Sequence, residues 1–242
     1  VTVSWAPLVR GGRPHVLLLG AHADDIEIGC GGTILGWLAA GVPLDVTWVV
    51  FGATGQRAEE ARRSAGAFLR GAASARVEVY GFRDGFFPYE AGVKEAFETL
   101  KTQVDPDLVF THYRHDRHQD HRTISDLTWN TFRAHAILEY EIPKYDGDLG
   151  APNVFAPLTR ELYETKVRLL VEHFPSQATR SWFAPETFLA LARLRGVEAG
   201  AGTELAEAFY ARKLALALGR VDGTPTWSAS ETRRRSRGVE SS

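Results

Sequence analysis

The sequence predicts a single-domain α/β fold, a Rossmann-like, mostly parallel sheet covered by helices on both faces. Three observations carry that expectation. Short apolar runs of strand length alternate with longer segments of helical pattern along the 242 residues. Runs such as Val16-Leu17-Leu18-Leu19 are apolar without polar alternation, as strands buried on both faces are. Two clusters of acids and histidines directly follow such runs, and an open parallel sheet collects its chemistry beyond the carboxyl ends of its strands.

Taken in order, residues 15–19 read as the first strand. Gly29-Cys30-Gly31-Gly32-Thr33 leads as a close-packed turn into a helix over 34–40, closed by Gly41-Val42-Pro43. Residues 44–51 form the second strand, 52–55 a loop and 57–70 a helix. A third strand at 76–80 is followed by a loop over 81–89 rich in glycine, proline and aromatic residues. Residues 91–102 read as helix, 107–111 as the fourth strand and 122–136 as helix. The segment 141–158 carries prolines and glycines and reads as a long irregular connection, a length usually kept for function. Helical patterns return at 159–172, 185–194 and 203–218.

Composition narrows the class. At 44% hydrophobic residues the chain can bury a full core in one domain. We expect residues 1–225 to form that domain and 226–242 a polar, disordered tail, with Arg233-Arg234-Arg235 a solvated run. A net charge of −2 argues against a nucleic-acid partner. No segment is long enough to span a bilayer and no signal peptide is visible, so we expect a cytoplasmic protein with no membrane partner. Cys30 is the only cysteine, which excludes a disulfide framework and a thiolate zinc site and suits a reducing compartment. The abundance of arginine over lysine, and of alanine, points to a GC-rich bacterial genome. Oligomeric state stays open, a homo-oligomer included.

The first cluster is Ala21-His22-Ala23-Asp24-Asp25-Ile26-Glu27. A strand, a glycine-rich turn and a helix also announce dinucleotide sites, but here carboxylates occupy the turn and would repel a pyrophosphate. The glycines also come after the acids, out of place for that motif. His22 and Asp25, three apart, can turn toward one divalent metal, with zinc the best fit. Asp24, left unligated beside a metal-activated water, has the chemistry of a general base. Alternatively, the paired acids simply favour a helix N-terminus. The second cluster, His115-Asp116-Arg117-His118-Gln119-Asp120-His121, follows Leu108-Val109-Phe110. With His112 it holds four of the chain's eight histidines at intervals of three. Spacing alone does not choose among His115, His118 and His121 as a ligand. Asp120 is a candidate either for orienting a histidine or for capping a helix.

These residues resemble the PIG-L/LmbE-like zinc-dependent N-deacetylases, which remove acetyl from N-acetylglucosamine-type amino sugars and related conjugates. The family's first motif appears as His22-Ala23-Asp24-Asp25 with Ile28-Gly29-Cys30-Gly31-Gly32-Thr33 after it, and its second as His118-Gln119-Asp120-His121. Weaker matches are Arg57 and Glu60, Asp84, His173-Phe174-Pro175-Ser176-Gln177 and Ala206-Glu207-Ala208-Phe209, so the resemblance spans about residues 14–212. It implies that His22, Asp25 and His121 bind Zn2+ (Fe2+ suits the same ligands), that Asp24 is the general base and that His118 steadies the oxyanion. Arg57, Asp84 and His173, with Gln177, are the implied sugar clamps. The substrate is then a small N-acetylated sugar or glycoconjugate. A sugar–thiol conjugate or a glycosylated natural product is the alternative amide, and a non-catalytic sugar-binding module the alternative class. The chain departs from the motif where Ala23 and Gln119 replace proline, and where Ile26 stands for the usual glutamate with the acid displaced to Glu27.

Overall fold

The computed structural model describes residues 12–200 and 202–214, and the backbone of two short paired strands at 220–221 and 224–225. Its centre is β1 (His15–His22), whose side chains are buried on both faces of the sheet. Val16 and Leu18 enter one apolar core, Leu17 and Leu19 the other. That is why the run is apolar without alternation. On one side β1 pairs in parallel with β2 (Asp45–Gly52), and β2 with β3 (Ser74–Val79). On the other it pairs in parallel with β4 (Leu108–His112), and β4 with β5 (Ala136–Tyr140). The chain therefore leaves β1 in one direction and later returns to its other flank. A crevice opens between the carboxyl ends of β1 and β4, the topological switch point of such a sheet.

Helices α1 (Asp25–Ala39), α2 (Gly55–Phe68) and α5 (Arg160–His173) pack together on one face, and α3 (Ala91–Gln103) with α4 (Gln119–Thr131) on the other. The sheet is completed by β7 (Leu205–Tyr210), antiparallel to β5, and by β6 (Val154–Leu158) at the edge. Helix α6 (Pro185–Ala199) packs on β7. Among the described residues no helix is long and apolar enough to cross a membrane.

The structure corrects four expectations. The expected helix over 203–218 is instead the strand β7 at Leu205–Tyr210, all six residues buried; its alternating small and large side chains fill a sheet interior between β5 and β6. Part of the expected irregular segment 141–158 is β6. The helix expected at 122–136 ends at Thr131, and its last residues begin β5. Helix α1 starts at Asp25 rather than 34, so the glycine run lies inside the helix. Its glycines serve close approach: a Cβ at Gly29 would lie 2.2 Å from the Tyr140 ring. The expected tail 226–242 lies outside the described residues.

A buried ion pair also clamps α1 from the side. Glu207 of β7 accepts the Gly32 N–H at 2.7 Å, the Thr33 N–H at 2.7 Å and the Thr33 hydroxyl at 2.5 Å. Lys166 of α5 donates to Glu207 and to the Ile28 carbonyl, each at 2.6 Å. The glycine run and the late Ala206-Glu207 motif are thus one packing unit.

Candidate metal centre

Between β1 and α1 only Ala23 and Asp24 make the turn. Asp24 adopts φ +98°, the one positive φ outside glycine among the described residues. A left-handed non-glycine residue costs on the order of 1–3 kcal/mol and persists where the surroundings hold it. The turn folds Asp25 back onto the strand end, where its Oδ2 accepts the His22 N–H at 2.6 Å. Helix α4, beginning just beyond β4, delivers His121 from the other side of the crevice.

Three donor atoms converge there. His22 Nδ1 lies 3.2 Å from His121 Nε2 and 3.5 Å from Asp25 Oδ2, and His121 Nε2 lies 3.6 Å from Asp25 Oδ2. Zinc bonds of about 2.0–2.1 Å to nitrogen and oxygen give a tetrahedron with edges of about 3.3–3.4 Å. The triangle therefore has the size of one face of a tetrahedral site, which His22, Asp25 and His121 would supply.

The hydrogen bonds around the two imidazoles orient them toward this centre. His121 Nδ1 bonds Asp116 Oδ2 at 2.9 Å, which turns its Nε2 lone pair toward the centre. His22 Nε2 sits 3.2 Å from Asp120 Oδ2 and 3.1 Å from Asp84 Oδ1, which does the same for its Nδ1. Burial works against a charged His22, but Asp120, Asp25 and Asp84 outweigh it and hold its pKa well above the usual value. Burial likewise opposes ionised Asp25, yet His121 and His112 keep its carboxyl well below the usual range. An anionic carboxylate between two imidazoles is a donor set made for a divalent cation.

Asp24 behaves differently. It is 3% exposed, its Oδ1 meets Arg57 at 3.1 Å and its Oδ2 has no hydrogen-bond partner. Burial, against Arg57 and with Asp25, raises its pKa to about 7. His118 caps α4, and its Nδ1 accepts the Asp120 N–H at 3.3 Å, so a neutral His118 carries its proton on Nε2. Burial and His22 lower its pKa. His22, Asp24, Asp25, His118 and His121 all line one open cavity of about 720 Å3.

Asp84 and Arg57 also line this cavity, but the Arg57 guanidinium is already engaged by Asp24 and the Ala23 carbonyl. His173 ends α5 and does not reach the cavity wall; Gln177, Arg180 and Trp182 do. Asp120 is fully buried behind His22, where it also accepts the Gly85 and Phe87 N–H groups and so shapes the 81–89 loop. Glu27 does not line the cavity. It is buried on α1 with neither carboxylate oxygen hydrogen-bonded, and burial raises its pKa to about 8.

Two residues noted in the second cluster were given no role from sequence. Asp116, rather than Asp120, orients His121, and it is braced by Lys144 at 2.9 Å. His112 ends β4 fully buried, accepts the Ala21 N–H at 2.9 Å and stacks on His121 with centroids 4.0 Å apart. Its place as the last residue of an apolar strand was the available signal.

An α/β sheet with a His–Asp–His donor triangle at its switch point defines the class: a candidate metal-site protein of Rossmann-like architecture. Residues 17–132 match the family described as PIG-L, GlcNAc-PI de-N-acetylase. Over that stretch, just under half of its length, the chain is similar to that family. It is 27% identical over 173 residues to the Escherichia coli K12 protein YaiS, described as an uncharacterized deacetylase, a match covering 66% of this chain and 91% of that one. The fold is similar to that of N,N'-diacetylchitobiose deacetylase from Pyrococcus horikoshii, with TM-score 0.62, 22% identity and coverage of 81% of this chain and 82% of the other. It is also similar to GalB, the 4-carboxy-2-hydroxymuconate hydratase of Pseudomonas putida KT2440, with TM-score 0.67, 17% identity and coverage of 86% and 100%. These two likenesses establish fold; the reaction has to be argued from the site.

Proposed function

We propose that this protein is a metal-dependent N-deacetylase acting on an N-acetylglucosamine-type amino sugar or its conjugate, with zinc as the metal. The observation that carries the reading is the donor triangle of His22, Asp25 and His121 with a buried, half-unpartnered Asp24 beside it on the same cavity wall. The relatives described as deacetylases support the same reaction class.

When bound, Zn2+ supplies a Lewis acid for the acetamide carbonyl and lowers the pKa of water toward about 7. The residues supply the rest. Asp24, with one oxygen held by Arg57 and the other free, accepts the proton of the attacking water. His118, fixed as an Nε2–H donor by the Asp120 N–H, stabilises the developing oxyanion, a contribution of about 3 kcal/mol for a single donor. The proton taken up by Asp24 then passes to the leaving amine. Arg57 positions Asp24, and Asp84 on the wall is available to a sugar hydroxyl. The single cysteine suits a reducing, cytoplasmic site of action.

The test is amine release from N-acetylglucosamine and a panel of its conjugates, sugar–thiol and natural-product glycosides included, after chelation and after zinc or iron(II) is returned. Activity lost with chelator and restored by metal is the expected result. Stoichiometric metal binding without amine release from any N-acetylated sugar would overturn the deacetylase reading.

A further inference from the structure

A second open hollow, of about 500 Å3, shares no lining residue with the metal cavity. Arg114, His115, Asp116, Arg117 and Arg122 form it, from the connection between β4 and α4 and the first turn of α4. His115, one of the histidines that spacing left open as a ligand, lines this hollow and not the cavity. The carboxylates that adjoin the loop are committed elsewhere. Asp116 bonds His121 Nδ1, Lys144 and the His118 N–H. Asp148 accepts from Lys144 and the Arg117 N–H, and Glu139 from Arg212, Trp129 and the Arg114 N–H. The loop thus gives its backbone N–H groups to these acids and leaves its guanidinium groups without one. Among the described residues Arg114, Arg117 and Arg122 form no ion pair. In a chain of net charge −2, three such arginines on one hollow concentrate positive charge where composition gives no excess.

We propose that this hollow is an anion site for a phosphate-class ligand, either free diphosphate or a phosphate group carried on a larger molecule. Two of the arginines are held in place beforehand. Arg122 Nη1 donates to the Asp116 carbonyl at 3.0 Å and to that of Arg117, which leaves its Nε and Nη2 donors for a ligand. The Arg114 guanidinium lies over the Trp129 ring, 5.5 Å from its centroid. Side chains fixed in this way lose less freedom on binding. Guanidinium forks match phosphate oxygens with paired N–H···O bonds, and three positive charges favour a multiply charged anion over a single carboxylate. His115 adds an imidazole donor at the same wall. The site does not depend on the reaction assigned to the cavity. Its loop also carries Asp116, so a bound anion would sit on the segment that orients His121.

The experiment titrates pyrophosphate into the purified protein by calorimetry, with ADP in a second arm. One charge-assisted hydrogen bond is worth on the order of tenfold in affinity. Arg114→Ala and Arg117→Ala should each weaken pyrophosphate by about that factor, and Arg117→Glu should abolish its binding. Arg168→Ala, which removes an exposed cation from α5, should leave it unchanged. These variants spare Arg122, whose carbonyl bonds hold the loop, and their unfolding midpoints should match the wild type. A metal in the cavity also attracts phosphates, so the titration is repeated on Asp25→Ala, where binding at the hollow persists. Loss of binding in folded Asp25→Ala would place the anion at the metal centre and overturn the proposal. Should that variant fail to fold, indifference of the wild-type site to Arg114→Ala and Arg117→Ala decides the same point. Equal weakening by Arg168→Ala would reduce the effect to diffuse surface charge and overturn the site, as would no binding to the wild-type protein. Tighter binding of ADP than of pyrophosphate would assign the hollow to a phosphate on a larger molecule, and equal or weaker binding to the free ion.

Discussion

On the cavity floor and directly behind it, Asp25, His112, Asp116, Asp120 and His121 are all buried and tied to one another or to backbone within hydrogen-bond distance. On its rim, Tyr145, Asp146 and Arg180 are exposed. Apart from Asp116, in the loop between β4 and α4, the floor comes from strand ends and helix starts, and the rim from connections between elements. The family match over 17–132 contains the whole floor and stops before the 141–182 wall. Chemistry that tolerates little misplacement sits on rigid elements, and selection among substrates is left to loops that can vary without disturbing it.

The largest expected effect breaks the floor outright. Asp25→Ala removes the anion between His22 and His121 and leaves two imidazoles facing each other, so stoichiometric zinc and turnover should both disappear, read by metal analysis of the purified protein. Asp24→Asn separates binding from chemistry. Zinc content stays at the wild-type level while kcat falls by about 10²–10⁴, the usual worth of a general base. Loss of metal in Asp24→Asn would mean that Asp24 is a ligand instead.

The clamp on α1 comes next. Glu207→Ala leaves the Lys166 ammonium buried opposite only the Ile28 carbonyl and frees two helix N–H groups. Breaking such a buried pair costs about 3–5 kcal/mol, visible in denaturant midpoints. Replacing both partners together, Lys166→Met with Glu207→Gln, should recover part of the loss.

The contrast between floor and rim also separates what the sequence makes legible from what it does not. Of the parallel strands, β1, β2 and β4 can be read because they are buried on both faces, and the floor because its acids and histidines sit beside those strands, whereas β5 was not expected. The antiparallel half cannot. Leu205–Tyr210 carries Ala-Glu-Ala with helix-forming residues on either side, and only its burial between β5 and β6 makes it a strand. Asp116 was hidden for a related reason: which of two aspartates meets which imidazole depends on how α4 approaches β1, a tertiary distance. The rim depends on residues from 142 to 182 meeting across the cavity, and nothing local marks Arg180 or Trp182 as neighbours of His118. Conversely His173, placed by motif order, ends α5 and is not part of the cavity wall.

Asp116→Asn sharpens the floor at intermediate size. Lys144 keeps Asp148 at 2.6 Å, so the substitution chiefly weakens the anchor on His121 Nδ1. A drop of about 10–100-fold in zinc affinity is expected, with little change in fold stability. The matching Asp120→Asn change should act on two things at once, since Asp120 holds both His22 and the Gly85 and Phe87 N–H groups of the loop. A metal affinity indifferent to Asp116→Asn would assign the orientation of His121 to its stacking on His112 instead.

The smallest effect belongs to the rim, and its form matters more than its size. Tyr145 is 70% exposed on the cavity wall. Its side chain is largely in solvent, so Tyr145→Ala should raise KM by about two- to fivefold at constant kcat, the signature of an interaction equal in ground and transition states. If kcat fell instead, the loop would be acting on the metal centre through its neighbour Lys144 and the Asp116–His121 pair. The floor would then extend to residue 144, and part of what distinguishes substrates would be carried by the same side chains that hold the metal ligands.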